Sequence, residues 1–213
     1  MKKSAIVLIV LGVLLFGALL VALSIGGVYN SMVGKSQAAD QAWAQVQNNY
    51  QRRADLIPNL VATVAGAANF EKSTLTAVTD ARASVGQVKI DPNNAPTDPA
   101  QLAAYQKAQD GLSSALSRLL VVSENYPTLK ATANFRDLQA QLEGTENRIT
   151  VARRDFNTAI QSYNTAVKQF PGVVLAGMFG FQAKPYFEAQ AGAETAPKVN
   201  FDFGAPPAAT AKP

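Results

Sequence analysis

The sequence predicts an all-α protein: an N-terminal transmembrane helix, then an antiparallel four-helix bundle with long helices and a C-terminal extension packed on it. Three observations carry this. The stretch Ala5 to Val28, AIVLIVLGVLLFGALLVALSIGGV, holds 24 residues without a charged or amide side chain. Beyond it, apolar residues return at spacings of three and four as far as Phe170, the pattern of helices with one buried face. The connections between these stretches are short and contain Pro, Asn and Asp, as antiparallel neighbours require.

At roughly 1.5 Å rise per residue the apolar stretch reaches about 36 Å, against a hydrocarbon core of about 30 Å. A cleaved signal peptide is the rival reading, with Lys2 and Lys3 as its charged region and Ala22-Leu23-Ser24 as its cleavage site. Signal peptides carry an apolar core of about 7–15 residues; the greater length here favours a retained, single-pass anchor that contacts membrane lipid through residues 5–28. Lys2 and Lys3 precede the span, and the residues just after it offer Lys35 offset by Asp40. Positive charge stays on the cytoplasmic side, so the N-terminus is expected in the cytoplasm. The helical domain is then expected on the periplasmic or extracellular side of the inner (cytoplasmic) membrane. Ala18, Ala22 and Gly26 form a line of small residues that lets helices approach closely.

The remainder, about 185 residues, is one ordinary domain, long enough to bury roughly 70% of its unfolded surface. Net charge is +4, and +2 once Lys2 and Lys3 are set aside. Basic residues are scattered apart from Arg52-Arg53 and Arg153-Arg154, which is no footprint for nucleic acid. The chain has no Cys and no His. Disulfides, the usual zinc sites, serine triads, Glu-x-x-His di-iron sites and His-ligated haem are thereby excluded, and no cofactor is expected.

In the first bundle helix, from Tyr29, the stripe is Trp43, Val46, Tyr50, Arg53, Ile57, Leu60, Val64 and Ala67. Pro58 interrupts it either as a kink or as the first turn of a new helix capped by Asp55; the unbroken phase favours the kink. Asn69 is expected to cap a second helix from Phe70 to about Val88, with Phe70, Thr74, Ala77, Ala81, Val85 and Val88 inward. DPNNAPTDP, residues 91–99, reads as a loop. Asp98 caps a third helix with Pro99 at its first position, carrying Leu102, Tyr105, Leu112, Leu116, Leu119 and Tyr126. After Pro127, Asn134 is expected to cap the fourth. Its stripe runs Phe135, Leu138, Leu142, Thr145, Ile149, Ala152, Phe156, Ile160, Tyr163, Val167 and Phe170, and Pro171-Gly172 ends it. The resulting division is 1–28 anchor, 29–171 bundle, 172–203 extension and 204–213 tail; GAPPAATAKP is too poor in large apolar groups to pack.

Arg53 falls on an apolar stripe, and a buried guanidinium must be paired. Asp55 and Asn59, one turn apart, are assigned to the same polar cluster. On the fourth helix Glu146 and Arg153 share a face, and Glu143, Thr150, Asn157 and Asn164 form a second line at intervals of seven. Such lines hydrogen-bond across helices and fix register. The competing reading is a carboxylate site for a cation or proton at Glu143 and Glu146, which Arg148 and Arg153 would neutralise. The segment Val173 to Phe187 is too short to span a bilayer. It must cover Phe179, Phe181, Tyr186 and Phe187, either by capping the bundle or at a neighbouring subunit or the membrane.

Several pieces together resemble the LemA family: Arg52 through Val61, Ala81-Arg82, Leu142 through Ile149, Ala152-Arg153, Phe156-Asn157, Tyr163-Asn164, Phe170-Pro171, Tyr186-Phe187-Glu188 and Pro197-Lys198-Val199. Phe70 and Phe156 stand where the family often has His and Tyr. The resemblance implies a membrane-anchored, largely antiparallel four-helix domain and a part in membrane or cell-envelope organisation, without implying an enzymatic activity. Three classes follow. The leading one is a non-enzymatic scaffold or interaction protein that self-associates as a homo-oligomer and contacts other envelope proteins. A bundle that binds lipid or a small ligand, with space at Ala77, Ala81 and Ala152, is second. A hydrolase using Glu143 and Glu146 is third, and basic neighbours work against the raised pKa it needs.

Overall fold

Helix α1 runs unbroken from Lys3 to Ala65, 63 residues, in a computed structural model that describes residues 3–67 and 70–189. At roughly 1.5 Å per residue it is about 95 Å long. Its N-terminal part has a mean hydropathy of 2.9 over its most apolar stretch, which is wholly exposed. It is the one described helix long and apolar enough to cross a membrane. The change of composition after Val28 coincides with no break in the helix. Pro58 lies inside α1, so a new helix start at Asp55 does not form. Ile57, Leu60 and Val64 stay buried in phase with Trp43, Val46, Tyr50 and Arg53.

The described residues beyond α1 fold onto the C-terminal half of this rod. Helices α2 (Lys72–Gln87), α3 (Pro99–Ser123), α4 (Pro127–Lys130, a single turn), α5 (Ala133–Lys168) and α6 (Gly172–Phe179) follow in order. α5 is antiparallel to α1: Lys35 Nζ donates to Ser162 Oγ at 2.7 Å near one end, and Arg53 meets Glu146 farther along. α2 and α3 form a second antiparallel pair. Gln101 Nε2 donates to the Lys89 carbonyl at one end, and the Phe70 and Tyr126 rings lie 4.8 Å apart at the other.

The helix starts follow local chemistry, with two departures from expectation. Asp98 caps α3, its carboxylate accepting from Ala100 N at 2.8 Å, with Pro99 in the first turn. α5 starts two residues before the expected position. Thr132, not Asn134, is the cap, its hydroxyl accepting from Phe135 N at 3.4 Å, and Asn134 is already helical. α2 starts at Lys72 after Glu71, so Phe70 precedes the helix; Asn69 lies outside the described residues, as does the tail from 190 onward. Within α2 the buried residues are Thr74 and Val78, while Ala77 faces solvent. Ala77 and Val78 both fit the helical spacing, and Val78 carries the larger apolar side chain to bury. α3 ends at Ser123, so Tyr126 lies just beyond it.

Three apolar clusters stack along the bundle. Distally, Ile57, Leu60, Val64 and Val78 pack with Leu112, Leu116, Leu119, Phe135 and Leu142. In the middle, Trp43 meets Phe156 and Phe187 at ring separations of 5.5 and 6.1 Å. Each buried ring of this kind contributes about 1.5–3 kcal/mol. Nearest the apolar stretch, Met32, Tyr163, Val167, Leu175 and Ala176 close the end.

α5 ends at Lys168. The chain turns through Phe170-Pro171, and α6 folds back with Leu175 and Ala176 buried. Gly180, in the left-handed conformation at φ 76°, terminates α6, as glycine does without steric cost. Phe170, expected on the α5 stripe, is 84% exposed because the helix stops two residues before it. Residues 181–189 then run without helix along the bundle and reach Phe187, which is buried in the Trp43 cluster.

Gly172 is set against α5, where a Cβ would lie 2.1 Å from the Ala166 carbonyl oxygen. Backbone cannot yield there as a flexible side chain would. Gly172→Ala is expected to lower stability by about 1–3 kcal/mol, read as a lower denaturant midpoint for the full chain in detergent.

Candidate functional site

The polar residues of the bundle converge where α1, α3, α5 and the C-terminal segment meet. Arg53 lies on the inner stripe of α1, and its guanidinium is 1% exposed. Nη1 donates to Glu146 Oε1 at 2.7 Å on α5 and to Ser113 Oγ at 2.6 Å on α3. Nη2 donates to the carbonyl of Gln109 and makes a short contact with its side-chain oxygen. A buried guanidinium is tolerated when it is paired with a carboxylate and its terminal donors are met in this way. The pair is asymmetric, because the Glu146 side chain is 36% exposed.

Two further ion pairs extend the network. Arg153 Nη1 meets Asp110 Oδ1 at 3.1 Å, and its guanidinium stacks 4.6 Å from the centre of the Phe187 ring. Lys184, 9% exposed as a residue, reaches from the C-terminal segment to Asp40 Oδ1 at 3.0 Å and Ser36 Oγ at 3.2 Å on α1. The same Asp40 oxygen accepts from Ala95 N at 2.9 Å, which ties the α2–α3 loop to α1. Trp43 Nε1 fastens that loop again by donating to the Asp91 carbonyl at 2.8 Å.

Extended backbone has no hydrogen-bond partners of its own, so segment 182–188 must find them on the bundle. Asn164 Nδ2 donates to the Lys184 carbonyl and its Oδ1 accepts from Lys184 N, at 2.8 and 2.9 Å. Asn157 treats Phe187 identically, both bonds 2.9 Å. Gln106 of α3 does so for Glu188 at 2.8 and 3.1 Å. The Tyr163 hydroxyl donates to the Gln182 carbonyl at 2.9 Å. A primary amide offers one donor and one acceptor in the geometry of a peptide. Three amides therefore stand in for a neighbouring β-strand.

Of the residues singled out from sequence, Arg53, Glu146, Arg153, Asn157 and Asn164 belong to this network. Asn157 and Asn164 clasp the C-terminal segment; they do not bridge helices as expected. Thr150, on the same line, bonds only to the Glu146 carbonyl of its own helix. Asp55 and Asn59 do not join. Asp55 is exposed and accepts from Gln51, and Asn59 points to solvent: Asp55 lies two positions from both Arg53 and Ile57, and Asn59 falls between Ile57 and Leu60 on the outer face. Glu143 is also exposed, accepting from Gln139 at 3.0 Å. With Glu146 and Ser113 it lines a surface groove of about 450 Å³. Phe187 is buried, Phe181 half-buried, and Phe179 and Tyr186 are 49% and 41% exposed. The segment thus caps the bundle with one part and leaves the other part uncovered.

Asp40, Gln106, Gln109, Asp110, Ser113 and Lys184 are the partners that sequence reasoning missed. Gln109 had a signal: it fills the gap between Tyr105 and Leu112 on the α3 stripe. Gln106 and Ser113 also keep the α3 spacing, four after Leu102 and four after Gln109, whereas Lys184 lies on no stripe.

Tyr50 sits among these charges, its ring 5.2 Å from the Arg53 guanidinium carbon. Its hydroxyl, Arg53 Nε, Arg153 Nε and Nη2, and Gln47 Nε2 are buried and meet no partner among the described residues. Burial pushes the Tyr50 phenol well above its ordinary value, outweighing the opposite pull of Arg153 and Arg53. Burial also raises Tyr105, against its hydrogen bonding with Gln109 and Gln47, and Tyr163, where Asp40 adds to the effect. Among the described residues no group of three or more Asp or Glu is placed to hold a metal. The cationic groups are matched by carboxylates one to one, so the arrangement is suited to locking elements together.

Removing one partner of the asymmetric pair distinguishes the two charges. Glu146→Ala strands a buried guanidinium and is expected to cost about 3–5 kcal/mol. Arg53→Met keeps the volume and leaves a carboxylate that can turn to water, so its cost is expected to be smaller. Chemical denaturation of both variants in detergent checks the order.

Alkali provides a second check. A phenol raised in the folded state contributes stability that is present below its unfolded value, near pH 10, and lost as pH rises beyond it. Tyr50, Tyr105 and Tyr163 act in the same direction. Helicity and phenolate absorbance are expected to change together above about pH 10, and Tyr50→Phe is expected to move that transition to higher pH.

The sequence of this bundle matches known proteins. The family model described as "LemA family" matches residues 42–201, a range that holds the Arg53 cluster, the amide clasp and α6. Magnetosome protein MamQ 2 of Paramagnetospirillum magneticum is 27% identical over 182 residues, covering 78% of this chain and 67% of that protein. Magnetosome protein MamQ of Magnetospirillum gryphiswaldense is 28% identical with the same coverage. Protein LemA of Metamycoplasma hominis is 27% identical over 145 residues, 68% of this chain and 61% of that protein. With the matched range taking in most of the described bundle, the chain belongs to the LemA family.

Proposed function

We propose that this chain is a membrane-anchored, non-enzymatic helical scaffold that self-associates and takes part in organising the membrane or cell envelope. The observation that carries this is the unbroken α1, which joins an apolar, fully exposed stretch to the bundle core in one helix. A flexible linker would let the domain reorient. A continuous helix transmits the position and tilt of the membrane segment directly to the bundle. The chemistry of the core supports the same reading. Arg53, Arg153 and Lys184 are spent on Glu146, Asp110 and Asp40, and the buried phenols are held neutral.

Lys2 and Lys3 ahead of the span favour a cytoplasmic N-terminus with the bundle outside, in the inner membrane. Ala18, Ala22 and Gly26, on the exposed part of α1, offer a surface for helix association in the membrane. A lipid-binding role is the second reading. It draws support from an apolar groove between α1 and the Phe170-Pro171 turn.

One experiment tests orientation and self-association together. A membrane-impermeant amine cross-linker is added to intact cells that produce the full chain, and again after lysis. Cross-linked dimers or larger species in intact cells are expected. Cross-links only after lysis would reverse the orientation, and monomer under both conditions would overturn self-association.

A further inference from the structure

Because α5 returns antiparallel along α1, its C-terminal turn is carried back past the start of the bundle to the apolar stretch. Lys35 of α1 lies level with Ser162 of α5. Beyond that level, Pro171, Val174 and Leu175 face Leu20, Ser24 and Val28 across a groove of about 440 Å³. Leu20 lies eight residues from Val28, which on a helix is about 12 Å. Half of a bilayer's hydrocarbon core is about 15 Å. If residues 5–28 span a membrane, this turn occupies the same leaflet as the C-terminal half of the span.

The composition fits that place. No charged side chain occurs from Ser4 to Gly34 or from Gln169 to Ala183, so both elements lose their charges over the same depth. Every side chain of α6, GVVLAGMF, is apolar. One face, Leu175 and Ala176, is buried on Met32, Tyr163 and Val167. The other face is open: Phe170 is 84% exposed, Met178 72% and Val174 56%. This patch is continuous with the exposed apolar surface of α1, and contiguous apolar surface of this kind marks a membrane or partner site. Tyr29 packs edge-on against Phe179 and Phe181 at 5.0 and 5.7 Å, an aromatic group at the level where interfacial anchors occur.

Backbone in hydrocarbon must be satisfied internally, and this hairpin does so at four of its donors. Gln169 N reaches the Thr165 carbonyl, Val173 N that of Gln169, Val174 N that of Pro171, and Phe181 N that of Ala176, at 2.9 to 3.2 Å. Pro171 carries no N–H. The hydroxyl of Ser24, the polar side chain in the groove, donates to the Leu20 carbonyl of its own helix at 2.8 Å.

We propose that the α5–α6 turn is a re-entrant hairpin inserted in the leaflet next to the bundle, and that the groove between it and the span holds one acyl chain of a membrane phospholipid. This rests on the anchored reading above and deepens it. The protein then grips one leaflet by two elements, and the groove makes its fit depend on the lipid chains at that depth.

The chain has no cysteine, so single-cysteine variants report one position each. Phe170→Cys, Met178→Cys, Leu14→Cys in the span and Gln139→Cys at the far end of α5 are made in the full chain. Each is labelled with an environment-sensitive fluorophore and reconstituted in phosphatidylcholine–phosphatidylglycerol vesicles. Quenching is compared between lipids carrying a nitroxide on the acyl chain and aqueous iodide. Labels at 170, 178 and 14 are expected to lose most of their emission to the lipid nitroxide and almost none to iodide, with the reverse at 139. Iodide quenching at 170 and 178, with 14 still quenched by lipid, would overturn the hairpin and leave the anchor standing. Iodide quenching at 14 as well would overturn both. Protection of 170 and 178 from both quenchers, with self-quenching between labels, would put a second copy of the chain in the groove and overturn the lipid.

Discussion

From Lys3 to Ala65 α1 stays a single helix, even through Pro58, and the placement of every other element follows from it. Its backbone hydrogen bonds are internal, so the apolar stretch and the buried stripe are held at one fixed rotation to each other. α5 packs antiparallel along the same rod and must return to its apolar end. α6 and the extended segment are then laid down beside α1 in an order that the rod dictates. The three ion pairs and three amide clasps act on this arrangement as fasteners. Two of the ion pairs hold α3 or the C-terminal segment to the α1–α5 pair, and the Arg53 cluster reaches both α3 and α5 at once.

Arg53 and Trp43 are successive features of the same face of α1, and they solve different problems. Trp43 gathers Tyr105, Phe156 and Phe187 from three other elements, and its non-directional burial stabilises many relative positions almost equally. Arg53 is selective. Its two terminal nitrogens find Glu146, Ser113 and Gln109 together only when α3 and α5 sit at one register. A shift of α5 by one turn would leave a buried cation without its carboxylate, at a cost of several kcal/mol, and a shift of α3 would strip the remaining acceptors from the same guanidinium. The apolar face supplies stability, and the guanidinium supplies uniqueness.

The C-terminal segment is held in a similar division. Asn157, Asn164 and Gln106 read only its backbone, while Phe187 and Lys184 insert side chains that fit one place each. Arg153 over the Phe187 ring couples this segment to Asp110 on α3. Residues far apart in sequence thus share one polar layer, and the layer is finished only after the last described residues have docked.

Much of this was legible in the sequence because it follows from local periodicity. The apolar stretch, the α1 stripe from Trp43 to Val64, the α5 stripe from Phe135 to Val167 and the Asp98-Pro99 start of α3 each depend on residues within a turn or two, whose spacing fixes which face is buried. Arg53 announced a buried partner by its position among apolar neighbours. What it could not announce was which partner. Asp55 was nearer in sequence, but on a helix a residue two positions away points elsewhere, and Glu146 was brought in by α5. Asn157 and Asn164 were conspicuous for the same periodic reason, yet an amide bonds equally well to a helix, a strand or water. Only the path of the chain after Gly180 decided that they hold extended backbone. Lys184, Asp40 and Gln106 gave no sign of their partners, since each pairing spans more than eighty residues of sequence. The position of α6 against Leu20 to Val28 was likewise decided by the length of α5 and its antiparallel course, which no local spacing encodes.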